Sequence, residues 1–196
     1  MGSVTNILGA EATVYKAAYG EALPELDDID TGLITPAGNW VQVGFTMDDC
    51  LMEYSPSFEW VKINESAGEV KGFLTAEAAR IAYTLAEADM TALAHGITGA
   101  SVSTTAADDD QTAQDTVGIG DLTRTEYTLM ILGTSPEGYA RLVYVPKCVQ
   151  SGTVTLIQKR GHSGVPVEWK VLTDMTRSAG ERMIKLYDMT AVPSNA

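Results

Sequence analysis

At 196 residues with 45% hydrophobic content, the chain is long enough for one domain with a real core, and nothing in it argues for two. Its 26 acidic residues against 13 basic ones leave a net charge of −13, which excludes a grip on nucleic acid through many Lys/Arg–phosphate contacts. Two cysteines, Cys50 and Cys148, are too few for a disulfide framework and are expected as free thiols in a reducing compartment.

Abundant Thr, Gly, Val and Tyr favour strands and turns over helices. The opening MGSVTNILGAEAT has no basic n-region and no long apolar run, which argues against a secretory signal, and Asn6 stands where a myristoylation site wants Ser or Thr. No run of about 18 apolar residues offers a membrane anchor. Residues 1–38, rich in Gly, Pro and acids, read as an irregular N-terminal arm in which only Thr13–Tyr15 looks strand-like.

Asn39–Phe45 alternates, with Trp40 and Gln42 facing opposite to Val41, Val43 and Phe45, and is expected as the first strong strand. Residues 46–75 read as a long hairpin, Ser57–Ile63 and Glu69–Leu74 joined by a turn at Asn64-Glu65-Ser66-Ala67-Gly68. Phe58, Trp60 and Lys62 should share one of its faces, and Glu59, Val61 and Ile63 the other. Apolar residues on both faces are hard to satisfy in an isolated monomer, so Phe58, Trp60, Val61, Ile63, Val70 and Phe73 are candidate subunit-interface residues.

The next stretch changes period. Ile81, Tyr83 and Leu85 alternate as in a strand with one buried face, and then Met90, Leu93, Ala94 and Ile97 fall at helical spacing, with Asp89 as N-cap and Gly96 as C-cap. A short helix anchored on the core by Met90, Leu93 and Ile97 is expected, the only convincing helix in the chain. Gly99–Asp121 is small, polar and acidic and reads as a flexible loop. Thr125–Leu132, Gly138–Val145, Thr153–Gln158, Val165–Leu172 and Glu181–Tyr187 then follow at short intervals, as in an antiparallel sandwich or barrel. The expected fold is therefore mostly β: two packed antiparallel sheets in a single domain over residues 1–196, with one flanking helix, a long hairpin excursion and an irregular N-terminal arm.

Chemistry-bearing patterns are weak throughout. His95 and His162 have no second ligand or base at a recognisable spacing, and Gly161-His162-Ser163-Gly164 has Val165 where a nucleophile elbow needs Gly. Asp108-Asp109-Asp110 lacks the oxygen series, the Gly and the distal Glu of a calcium loop, and reads as a solvated acidic run. Gly118-Ile119-Gly120-Asp121-Leu122-Thr123 fails the dinucleotide fingerprint at its last position. Asp27-Asp28 and Asp48-Asp49 are neighbours that point apart on extended chain. No catalysis, metal or cofactor is expected.

The order of elements resembles the major tail tube protein of long-tailed, siphovirus-type bacteriophages. The resemblance rests on Tyr15-Lys16-Ala17-Ala18-Tyr19-Gly20 followed by Leu23-Pro24, on Trp40, Gly44, Thr46 and Asp48, and on the strand–helix unit ARIAYTLAEADMTALAHGI. Asp49 departs from it, standing where such proteins often carry Gly. The resemblance implies a structural virion protein whose homohexameric rings stack into a hollow tail tube, assembled in the host cytoplasm. It also implies a tape-measure protein, a tail terminator and distal tail or baseplate proteins as partners, with viral DNA passing through the lumen unbound and no membrane anchoring. The tube of contractile injection and secretion systems is similar in fold. A different class, a β-sandwich binding or head-decoration module, would show a surface cluster of aromatics; Trp40, Trp60 and Trp169 sit at alternation positions that read as core or interface packing.

Overall fold

The computed structural model describes residues 9–24, 38–44, 46, 50–62, 69–86, 90–108, 112–120, 124–134, 140–153 and 164–188. In chain order these form strands β1 (Gly9–Ala18), β2 (Val41–Gln42), β3 (Leu51–Lys62) and β4 (Glu69–Leu85), helix α1 (Met90–Gly96), and strands β5 (Ser101–Thr105), β6 (Gln114–Gly118), β7 (Tyr127–Thr134), β8 (Ala140–Gln150), β9 (Val165–Val171) and β10 (Lys185–Asp188). Seven strands run in the order β2-β1-β7-β8-β9-β4-β3 and β10 joins as the eighth, while β5 and β6 pair separately. All pairs are antiparallel, as a succession of short strands joined by turns favours.

One edge of β8 is divided between two partners: Arg141–Tyr144 pair with β10, and Cys148–Gln150 pair with β9. Its other edge pairs with β7, with a shift between Tyr127 and Leu129 opposite Pro146, where the ladder loses a donor. Thr128, fully buried, donates its hydroxyl to the Pro146 carbonyl at 3.1 Å.

Strand alternation sorts the buried side chains into two clusters. Val14, Ile81, Tyr83, Leu85, Leu129, Ile131, Val143, Val145, Val167 and Trp169 belong to one, and Tyr15, Ala17, Trp40, Met130, Leu142 and Tyr144 to the other. Neighbouring residues of β1, β7 and β8 thus point into opposite clusters, which is why these strands read as near-continuous apolar runs. The first cluster gathers side chains from strands as far apart in the sheet as β1 and β4, so the sheet curls around it. Thr46 closes the curl: it forms an isolated bridge to Leu85 of β4, and its hydroxyl donates to the Ala12 carbonyl of β1 at 3.1 Å. Within this core the Trp169 indole donates to the Tyr83 hydroxyl at 2.9 Å, the partner a buried indole requires. The packed layers are therefore parts of one sheet.

Several elements differ from expectation. Thr13–Tyr15 is the middle of the ten-residue β1, which is paired on both edges, by β2 and by β7. Asn39–Phe45 yields only the two-residue β2; Val41 is exposed while Val43 is buried, because the regular strand ends at Gln42 and Gly44 follows with φ of 119°, so alternation does not carry through. Gly99–Asp121, expected as a loop, contains the β5–β6 hairpin, whose in-register pairs Val102↔Val117 and Ser103↔Thr116 are Val/Ser/Thr-rich despite the acidic surroundings. Asp89, Phe45, Asp27-Asp28, Asp48-Asp49, Asp109-Asp110, His162, the Asn64–Gly68 turn and most of Thr153–Gln158 lie outside the described residues.

Candidate assembly interface

The 17-residue β4 merges the second strand of the expected hairpin with the strand of the strand–helix unit. On one edge it pairs with β3 from Leu51↔Ala82 to Lys62↔Glu69; on the other, β9 covers it only from Arg80 to Leu85. From Glu69 to Ala79 the two strands form a ribbon with no third strand among the described residues, roughly 30 Å long at the strand rise per residue. A lone two-stranded ribbon is marginal in water. Its internal ties are modest: Lys62 lies 3.7 Å from Glu69, the Thr75 hydroxyl donates to the Ser57 carbonyl at 3.1 Å, and Tyr54 donates to Glu77 at 2.5 Å. At its base Arg80 contacts Glu53 and lies 3.6 Å from Glu168, and its guanidinium holds the Glu53 carboxyl below the usual carboxylate range. Such exposed pairs contribute little to stability.

The faces are set by a bulge. Ser57 pairs with Ala76 and Phe58 with Leu74, so Thr75 is the extra residue. Without it, Leu74 would alternate onto the face opposite Ile81 and Ala79; with it, Leu74 and Gly72 share a face with Phe58 and Trp60, continuous with Tyr54, Met52 and the core. Gly72 makes room for Trp60: a Cβ there would stand 2.6 Å from the indole ring. Phe58 and Trp60 are neighbours with ring centres 5.7 Å apart. At the ribbon's base the same face opens into a cavity of about 540 Å³ lined by Met52, Tyr54, Met183, Ile184 and Leu186 among others.

Of the candidate interface residues, Phe58, Trp60, Val61, Val70 and Phe73 are all exposed on the ribbon, Trp60 at 55% of its surface; Ile63 lies outside the described residues. Phe58 and Trp60 share the apolar face, whereas Val61, paired with Lys71, and Phe73, paired with Glu59 and lying 4.8 Å beneath the Lys71 ammonium, occupy the mixed opposite face. Tyr54, Leu74 and Gly72 belong to the apolar face and were not singled out from sequence, since Leu74 reaches it only through the bulge. Large apolar side chains are thus exposed on both faces of the ribbon, with the aromatic pair on one of them.

The expected helix anchors separate. Leu93 is buried on α1, the helix that packs against β9 and the β5–β6 hairpin; Ile97 is half-buried just past the helix end. Met90 is a correction: standing at the first position of α1, it is 42% exposed rather than packed as an anchor.

Burial pushes the Cys50 thiol up to about 12 and the Cys148 thiol higher still, which disfavours thiolate. Among the described residues no group of three or more His, Cys, Asp or Glu could hold a metal, and no helix is long and apolar enough to cross a membrane. Trp40 and Trp169 are buried, which leaves Trp60 as the exposed indole. A scan against models of known protein families finds no match to this chain, and a search of curated proteins finds none either.

Proposed function

We propose that the protein is a structural subunit that self-assembles, and specifically a phage-type tail tube protein whose rings stack into a conduit for DNA. The observation that carries self-assembly is the β3–β4 ribbon, with Phe58, Trp60 and Leu74 in water on one face and, among the described residues, no third strand alongside it from Glu69 to Ala79. A closed ring of identical subunits covers such a surface by a repeated contact, and covers the open edges of the ribbon as well. The hexameric ring, the tape-measure, terminator and baseplate partners, and the virion as location come from the resemblance in element order. The net charge of −13 fits a conduit, since an acidic lumen repels phosphate and gives DNA no counterion-release binding.

Negative-stain microscopy of the full chain at high concentration tests this reading. Tubes, or rings on the order of 100 Å across, are the expected result for a closed ring of subunits of this size. A dispersed monomer at every concentration would overturn it. The tilted Phe58–Trp60 pair favours one second reading, a binding module with an aromatic platform for a sugar ring, and that module would stay dispersed and be retarded by polysaccharide in native gels.

A further inference from the structure

Where the ribbon leaves the body, Met52 and Tyr54 of β3 line an open groove of about 540 Å³ together with Met183, Ile184 and Leu186. Of the described residues lining it, the charged ones are Glu77 and Arg182, one of each sign, and the Glu77 carboxylate accepts from the Tyr54 hydroxyl. Copies of a chain with net charge −13 repel each other overall, so this neutral groove is a place where a second copy approaches without that cost. Its two thioethers suit an aromatic occupant, since methionine adapts its shape and its sulfur makes favourable contacts with ring edges. The volume falls inside the range of about 300–1,000 Å³ of clefts that bury most of a small ligand.

The same face of β3 carries the occupant. Phe58 and Trp60 follow Met52 and Tyr54 in unbroken alternation, because the extra residue of the bulge, Thr75, belongs to β4. They stand about 20 and 26 Å along the strand from Met52, so an extended chain cannot carry them back into its own groove. We infer that the Phe58–Trp60 pair of one copy seats in the Met52–Met183–Leu186 groove of the next. This rests on the reading of the ribbon as the surface of assembly and names the surface that receives it. Aromatic pair and groove are different surfaces, so the contact is head-to-tail: each copy that fills a groove offers another, and the contact propagates instead of stopping at a pair.

Sedimentation velocity and tryptophan emission of the full chain over one concentration series test the pairing, with Leu186→Asp, Leu186→Arg and Phe58→Asp/Trp60→Asp beside the wild type. Trp60 is the exposed indole, so its entry into the groove should shift the wild-type emission to shorter wavelength as the assembly grows. Leu186 is 58% exposed, so neither substitution there should lower the thermal midpoint. Both Leu186 variants, opposite in charge, should raise the concentration at half-assembly by at least about tenfold and keep the long-wavelength emission. A one-to-one mixture of Leu186→Asp with Phe58→Asp/Trp60→Asp should form a dimer, one copy bringing an intact aromatic pair and the other an intact groove. Leu186 variants that assemble as the wild type does, beside a monomeric Phe58→Asp/Trp60→Asp, would overturn the groove and leave the ribbon as the surface of assembly. An assembling wild type whose emission does not shift would overturn the groove as well, and a wild type monomeric throughout would remove both.

Discussion

Asp174 shows how a single carboxylate fastens a long connection. It is buried between β9 and β10, and it accepts from the Tyr19 hydroxyl at 3.1 Å, from the Thr176 amide and hydroxyl at 3.0 and 2.6 Å, and from Arg177 Nε at 3.3 Å. Arg177 in turn donates to the Tyr144 hydroxyl at 2.7 Å, so the network joins the end of β1, the middle of β8 and the β9–β10 connection. Burial alone would raise the Asp174 carboxyl, but the Thr176 and Tyr19 bonds and the Arg177 charge outweigh it and hold it below the usual range. A depressed carboxylate stabilises the fold above its unfolded value, near pH 4, and the contribution disappears as pH falls through the folded value. Asp174→Ala should cost about 2–4 kcal/mol in urea denaturation at pH 7, and the variant should lose less stability than the wild type between pH 5 and about pH 2. None of this network was legible in the sequence: Tyr19 and Asp174 are 155 residues apart, and Asp-Met-Thr-Arg reads locally as an ordinary polar turn.

At the scale of elements, what was legible followed from period. The alternation of Ile81, Tyr83 and Leu85 gave the buried end of β4, and the helical spacing after Asp89 gave α1. Length was not legible: α1 is seven residues, too short to persist on propensity, and stands because it packs against β9 and the β5–β6 hairpin with Leu93 buried. Leu93→Ala should therefore cost about 2–4 kcal/mol, while Met90→Ala should change stability by less than about 0.5 kcal/mol; thermal denaturation of the two variants checks the contrast. The hairpin was legible as a hairpin, with its apolar residues named, but its continuity with the next strand was not. The bulge at Thr75 interrupts the two-residue pattern where the strands join, so a continuous strand reads as two. The β5–β6 hairpin was hidden by composition, since its Ser/Thr/Val pairs sit in a segment whose acids and glycines resemble a loop.

At the scale of the molecule, the curled antiparallel sheet was legible in outline and its closure through Thr46 was not, because a single bridge leaves no pattern. The molecule combines a dense core around Ile81, Tyr83 and Trp169 with a ribbon that carries Phe58, Trp60 and Leu74 into solvent. These parts answer to different demands: core residues hold the subunit together, and ribbon residues, costly in a monomer, are proposed to be covered on assembly. Charged substitutions on the ribbon should therefore leave folding intact and act on assembly alone, by placing uncompensated charge in the covered surface. The most direct measurement is sedimentation velocity of the full chain beside a Phe58→Asp/Trp60→Asp variant, across a concentration series, with thermal denaturation as the control for folding. The expected result is a fast-sedimenting assembly for the wild type and a monomer of unchanged thermal stability for the variant. A variant that assembles as the wild type does, or a wild type that stays monomeric at every concentration, would contradict the claim that this ribbon builds the assembly.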